Sequence, residues 1–136
     1  QSTLGVFVDT GVPHFVIKAD DINPKLLREK AAMLRNAPEF GKSGTNVTFL
    51  KELGSGRAKA IPFERGVEDF TLSCGTGALA AGAVVMSIYP NIVAEIEMPG
   101  GRLDVSKNTE GLLTLHGDAQ VVFDGKLNPG VINGIF

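Results

Sequence analysis

Short segments rich in apolar residues, separated by polar turn residues, occupy much of the first half of the chain, a pattern typical of β-strands. Residues 4–9 and 13–18 are rich in β-branched and aromatic side chains, and Thr10-Gly11 between them is a turn signal. Residues 46–52 and 57–63 have the same character and are joined by a glycine-rich turn. These segments predict four strands.

The end of the chain has a similar pattern. Residues 92–98 alternate, which places Glu95 and Glu97 on one face of a strand and Ala94, Ile96 and Met98 on the other. Turn residues then separate further apolar segments, which predict three more strands at residues 102–106, 112–116 and 119–123.

Two segments have helical character. Asn23-Pro24 combines a capping side chain with proline at the first helical position. The apolar residues that follow share one side of a helix, with Lys30 the only charged residue among them, which predicts a peripheral amphipathic helix. These residues are Leu26, Leu27, Ala31, Met33 and Leu34. Residues 36–45 are expected to form a loop.

The second helical segment, residues 75–88, is small or apolar on every side and carries no charge before Tyr89-Pro90 ends it. A helix that is apolar all round is buried, and this one is too short to span a bilayer. The sequence therefore predicts an α+β fold in which a curved, mostly antiparallel sheet wraps around a buried central helix.

Composition narrows the class of protein. The 136 residues fit a single domain spanning 1–136, and the net charge of −2 without a basic run argues against nucleic acid or an anionic membrane as partners. One cysteine cannot form an internal disulfide, and we expect a cytoplasmic protein. One cysteine and two distant histidines also argue against a zinc site. Because the chain begins at Gln1 without an initiator methionine, we expect it to be part of a longer polypeptide.

The strongest chemical signal is Cys74, at the predicted start of the buried helix. Free backbone N–H groups and the helix dipole favour an anion there, so both thiol and thiolate are accessible and Cys74 is a candidate acid/base group. The N–H groups of Gly75, Thr76 and Gly77 could hold a substrate carboxylate. The alternative is that Cys74 is a small inert core residue and the glycines only shape a turn.

Three other residues are candidates for the same site. Glu64 and Arg65, adjacent at a predicted strand end, suit the two charges of a zwitterion, although they could also form a solvated surface pair. His14 could act as a general base or orient one, and a structural histidine is the alternative.

These motifs, in this order, resemble the C-terminal half of diaminopimelate epimerases. The lead-in Phe63-Glu64-Arg65-Gly66-Val67 and the Pro13-His14 pair carry much of the resemblance, which extends over nearly the whole chain. The matching segments are residues 9–16, 45–49, 63–78, 99–105 and 117–125.

The resemblance implies a reaction without pyridoxal phosphate, metal or any other cofactor. Two cysteines on opposite sides of the substrate Cα would exchange protons with it, and Cys74 would be the second of the pair. Glu64 would meet the α-ammonium group and, with His14, set the protonation state of the thiol. The first cysteine would come from an N-terminal domain of the same enzyme, and the family is commonly homodimeric.

The resemblance also implies how diaminopimelate would be bound. Gly75 and Thr76 would hold its α-carboxylate through backbone N–H groups, while Arg65 and Asn46 would read its distal carboxylate and amine. Val12 departs from the family, where an asparagine usually precedes the Pro-His pair, and this removes one polar contact from distal recognition.

The chain has a single cysteine, so the resemblance predicts a half-site that is inactive alone. Two other classes of function stay open. The chain could derive from a cofactor-independent isomerase of another amino acid, of the proline racemase or phenazine type. It could also be a non-catalytic binding domain that retains the fold.

Overall fold

A computed structural model describes residues 4–128. Residues 1–3 and 129–136 lie outside that range. The expectation of a longer polypeptide concerns the first of these residues, so the structure does not address it. The described elements follow in chain order: β1 (Val6–Asp9), β2 (Pro13–Lys18), α1 (Pro24–Arg35), a 3-10 turn (Pro38–Phe40), β3 (Asn46–Gly54), β4 (Arg57–Glu64), β5 (Asp69–Phe70), α2 (Gly75–Ile88), β6 (Ala94–Met98), β7 (Gly101–Lys107) and β8 (Leu113–Gly117).

The strands form one mixed sheet in the order β1-β2-β3-β4-β6-β7-β8, with β5 paired to β4. The β2–β3 and β4–β6 pairs are parallel, and the other pairs among the described strands are antiparallel. Each parallel pair is linked by a connection that includes a helix, as parallel strands require. The predicted α+β class and mostly antiparallel sheet are confirmed.

The central helix α2 explains the curvature of the sheet. Strands from both ends of the sheet, β1 and β8, contact α2, as do the strands between them. A flat sheet could not do this, so the sheet curls around the helix. Small residues allow the close approach: a Cβ at Gly82 would lie 2.5 Å from Cβ of Val105 on β7. The predicted bounds of this buried helix, residues 75–88, are confirmed.

The outer face of β2, β3 and β4 carries a second core, which α1 covers. The side chain of Asn23 caps α1 by accepting a hydrogen bond from the N–H of Lys25 at 3.0 Å. Ala31 and Leu34 are buried against an aromatic-rich cluster. The predicted apolar face is wrong at two positions, because Leu26 and Met33 are largely exposed at the outer edge of the helix.

Two other predictions of local structure are wrong, and one short strand was not predicted. Residues 119–123 form no strand: no described strand pairs with them, and Val122 and Phe123 are 89% and 83% exposed. An alternating pattern cannot make a strand without a hydrogen-bonding partner. The segment 36–45, predicted as loop, contains the 3-10 turn Pro38–Phe40, and the two-residue strand β5 was too short to leave a periodic signal.

Candidate active site

Cys74 is the N-cap residue of α2 and is half-buried. Its Sγ accepts a hydrogen bond from the N–H of Gly77 at 3.4 Å and lies 3.4 Å from Oγ1 of Thr76. No described residue accepts a hydrogen bond from the N–H groups of Gly75 or Thr76, which belong to the first turn of the helix. The helix start therefore presents a sulfur atom and two free donors side by side.

Gly77 lets the imidazole of His14 approach this thiol. A Cβ at Gly77 would lie 3.2 Å from Cε1 of His14 and 3.4 Å from Sγ of Cys74. A side chain here would force the imidazole to move by a few tenths of an ångström. The glycine that follows Thr76 thus allows the close packing of the histidine against the helix.

His14 lies on β2 and has no exposed surface. Its Nδ1 is 3.1 Å from Oγ1 of Thr48 on the neighbouring strand β3, and its Nε2 is 3.0 Å from Oγ1 of Thr76. Burial lowers the pKa of His14 to about 4, an effect that the nearby carboxylate of Glu64 partly opposes. The imidazole is therefore neutral at pH 7.

Glu64 ends β4 and is half-buried. Its carboxylate accepts a hydrogen bond from the hydroxyl of Thr71, which lies just before the central helix. The N–H of Thr71 in turn donates to the carbonyl of Pro62 at 3.1 Å. These contacts hold the carboxylate on the same side of the molecule as His14, whose pKa it influences.

Asn46 is almost fully buried at the start of β3, with only 4% of its surface exposed. Its amide Nδ2 donates to the carbonyl of Pro13 at 3.1 Å, and its Oδ1 accepts from the N–H of Arg65 at 2.7 Å. The side chain ties the start of β2 to the end of β4. Asn46 thereby fixes the backbone from which Arg65 projects.

Arg65 is exposed and forms no ion pair with any described residue. The other arginines each contact a carboxylate: Arg28 with Asp69, Arg35 with Glu68, Arg57 with Glu97 and Arg102 with Asp104. Arg65 is held by its backbone and has an unpaired guanidinium, so it is available to an anionic ligand.

The structure brings every candidate from the sequence to one end of the sheet: Cys74, Gly75 and Thr76 at the helix start, His14 and Asn46 on adjacent strands, and Glu64 and Arg65 at the end of β4. The sequence did not predict the threonine hydroxyls that support them. Thr10 donates to the carbonyl of Thr76 at 3.2 Å, and Thr48 contacts His14. These partners are 34 to 66 residues apart, so no local pattern could reveal them.

Within residues 4–128, His, Cys, Asp and Glu side chains form no group of three or more that could hold a metal ion. No helix in the same part of the chain is long and apolar enough to cross a membrane.

The fold and the site define a class of domain: a curled sheet around one central helix whose N-terminus presents a thiol. A solved structure with this fold is a phenazine biosynthesis PhzC/PhzF protein from Clostridium difficile, described as putative, with a TM-score of 0.54 and 25% sequence identity over 72% of this chain and 35% of that one. A family model described as diaminopimelate epimerase matches residues 6–122. The chain belongs to the diaminopimelate epimerase family.

Curated relatives agree with this assignment. A diaminopimelate epimerase from Aquifex aeolicus is 32% identical over 97% of this chain and 49% of its own length. Another from Flavobacterium psychrophilum is 36% identical over 88% of this chain and 49% of its own length. The chain thus spans about half the length of these relatives.

Proposed function

We propose that the chain is one half of a cofactor-independent epimerase that converts LL- to meso-diaminopimelate and that it carries one of two catalytic thiols. The observation that carries this proposal is the position of Cys74 at the start of α2, beside free N–H groups and a buried neutral histidine. Family membership supports the substrate.

In this proposal the free N–H groups of Gly75 and Thr76 bind the α-carboxylate of the substrate. The Cα–H of an amino acid is a weak acid, and its removal places negative charge on the carboxylate. Donors fixed at a helix start stabilise that charge as it develops. Cys74 accepts the Cα proton from one face or returns a proton to it from the same face.

The charged residues at the end of β4 would provide recognition. The carboxylate of Glu64 meets the α-ammonium group, and the unpaired guanidinium of Arg65 binds the distal carboxylate. Asn46 anchors the backbone of Arg65 and can still offer its second amide hydrogen to the distal end of the substrate.

Inversion at Cα needs a second proton-transfer group on the opposite face. The single cysteine of this chain supplies one, so the other would come from a second domain of similar fold in the same enzyme. The homodimer expected from the resemblance stays a prediction.

Exchange of the substrate Cα–H with solvent deuterium tests this proposal. We expect no epimerisation of LL-diaminopimelate by this chain alone, and exchange with epimerisation once the complementary half of a related epimerase is added. The matched control is the same mixture with Cys74→Ala. Full epimerisation by the chain alone, or by the Cys74→Ala mixture, would contradict the two-thiol mechanism.

A second candidate is an isomerase of the same class that acts on another substrate. Two observations favour it: the likeness to the phenazine biosynthesis protein and the apolar Val12 beside the Pro-His pair. Turnover of diaminopimelate, proline and glutamate by the complemented enzyme would decide between them. Preference for a substrate without a distal amine would favour this candidate.

A further inference from the structure

His14 lies between two threonine hydroxyls, and their hydrogen bonds can be followed to the sulfur of Cys74. Oγ1 of Thr48 is 3.1 Å from Nδ1 of the imidazole, and Oγ1 of Thr76 is 3.0 Å from Nε2. Oγ1 of Thr76 is also 3.4 Å from Sγ of Cys74. The four side chains form one continuous series of contacts.

Thr48 determines which group donates in the hydrogen bond between its hydroxyl and Nδ1 of His14. It has no exposed surface, and among the described residues Nδ1 of His14 is the only partner of its hydroxyl. A buried hydroxyl hydrogen without an acceptor is costly, so Thr48 donates to Nδ1. Donation in the opposite direction, from Nδ1–H to Thr48, would leave the threonine hydrogen without an acceptor in this part of the chain.

The donors in the other two hydrogen bonds, between His14 and Thr76 and between Thr76 and Cys74, follow from this first assignment. A neutral imidazole that accepts at Nδ1 carries its hydrogen on Nε2, which therefore donates to Oγ1 of Thr76. The lowered pKa of His14, caused by burial, agrees with the neutral form. The hydroxyl hydrogen of Thr76 is then left for the sulfur of Cys74.

We infer that Thr48, His14 and Thr76 are positioning residues that fix the Nε2–H tautomer of His14 and direct the Thr76 hydroxyl hydrogen onto Sγ of Cys74. With the N–H of Gly77, the sulfur then accepts two hydrogen bonds. Two donors at the sulfur stabilise negative charge there whenever Cys74 is deprotonated.

This inference deepens the proposed function and rests on it in one respect. Stabilised charge on Sγ serves the reaction only if Cys74 exchanges a proton with the substrate Cα. The tautomer itself concerns this chain alone and can be measured without substrate.

Nitrogen-15 NMR of the uniformly labelled chain tests the tautomer directly. The chain has only two histidines, and a His116→Gln variant assigns the signals of His14 by elimination. We expect a protonated Nε2 and an unprotonated Nδ1 near pH 7. A protonated Nδ1, whether in the other neutral tautomer or in an imidazolium, would overturn the inference.

Alkylation of the single cysteine by iodoacetamide at neutral pH tests the contact with sulfur. Thr76→Val removes the hydroxyl at nearly constant volume, and we expect alkylation about threefold slower, because one hydrogen bond to the reactive thiolate is lost and its greater nucleophilicity offsets part of that loss. Thr76→Ser restores a hydroxyl and should restore the rate. Equal rates for the valine and serine variants would contradict the inference.

Thr48 offers the more demanding comparison because it does not contact Cys74 in the structure. Thr48→Val should slow alkylation less than Thr76→Val does and mix the two tautomers, while Thr48→Ser should preserve both readouts. If either valine variant fails to fold, the tautomer measured in the unmodified chain still decides. Failure of epimerisation with the expected tautomer would count against the proposed function alone.

Discussion

At the scale of single residues, Cys74 combines two roles that chemistry can separate. Its sulfur caps the central helix by accepting from Gly77, and the same sulfur is the proposed proton-transfer group. A serine hydroxyl caps a helix at least as well as a thiol, whereas it is far less acidic. The cap therefore tolerates serine and the proposed reaction does not.

The first prediction compares Cys74→Ser with Cys74→Ala. We expect the serine variant to keep the free energy of unfolding of the parent, while the alanine variant loses about 0.5–1 kcal/mol with the cap. Both variants should abolish Cα–H exchange in the complemented enzyme. Denaturant unfolding and deuterium exchange measure the two effects, and exchange retained by the serine variant would refute the role of the thiol.

The second prediction concerns the pH dependence set by His14. Its pKa falls from the ordinary value of 6.5 to about 4 in the folded chain because burial disfavours the charged form. The unfolded state therefore binds more protons between these values, and folding stability is present above pH 6.5 and lost as pH falls toward 4. We expect a loss of about 2 kcal/mol between pH 7 and pH 5.

Urea unfolding at several pH values between 5 and 7 measures this loss, and His14→Gln is the matched variant. Because glutamine does not titrate, the slope of unfolding free energy against pH should flatten in this variant. If the slope is the same in His14→Gln, other titratable groups cause the pH dependence of stability.

Most of the candidate site could be predicted from residue types, but its internal contacts could not. Cys74 and the glycines around Thr76 are adjacent in sequence, so their shared helix start was visible. The hydrogen bond from Asn46 to the carbonyl of Pro13 spans 33 residues and depends on the parallel pairing of β2 with β3. Nothing in the local pattern specifies that pairing.

At the scale of elements, the fit between α2 and β7 depends on one missing side chain. A Cβ at Gly82 would lie 2.5 Å to 2.8 Å from three side-chain atoms of Val105. Val105 is fully buried and β-branched, so it has little freedom to move away. This contact sets how closely the curled sheet approaches the helix.

The third prediction is that Gly82→Ala destabilises the fold by about 1–3 kcal/mol through overpacking, although alanine favours helix formation. The double variant Gly82→Ala with Val105→Ala should be more stable than the sum of the two single effects predicts. Thermal or urea unfolding of the four proteins completes the cycle. Simple additivity would show that the two residues do not share this contact.

The elements themselves were predictable to different degrees. The helix α2 has small or apolar, uncharged residues throughout, and the Cys74 cap and Tyr89-Pro90 set its two ends. The strand order was not predictable, because alternation shows which face of a strand is buried and is silent about its neighbour. Residues 119–123 fail for the same reason: their pattern suits a strand, and no described strand pairs with them.

At the scale of the whole molecule, most large apolar side chains pack in the cores, and a group of highly exposed ones lies near the end of the described chain. Two cores lie on opposite faces of the curled sheet, one around α2 and one beneath α1. Outside them, Val121, Val122 and Phe123 are each more than four-fifths exposed. Side chains that contact little contribute little to folding, so this segment should not affect the stability of the chain.

The fourth prediction replaces Val121, Val122 and Phe123 together with serine. We expect the free energy of unfolding to change by less than about 0.5 kcal/mol, because the parent side chains are already in water. Val105→Ser is the contrasting variant: it places a hydroxyl in the core and should cost several-fold more, about 2–4 kcal/mol. Urea unfolding of both variants beside the parent chain measures the difference. A loss above 1 kcal/mol in the triple variant would show that the segment packs against the described domain after all, and would return residues 119–123 to the sheet that their sequence pattern predicts.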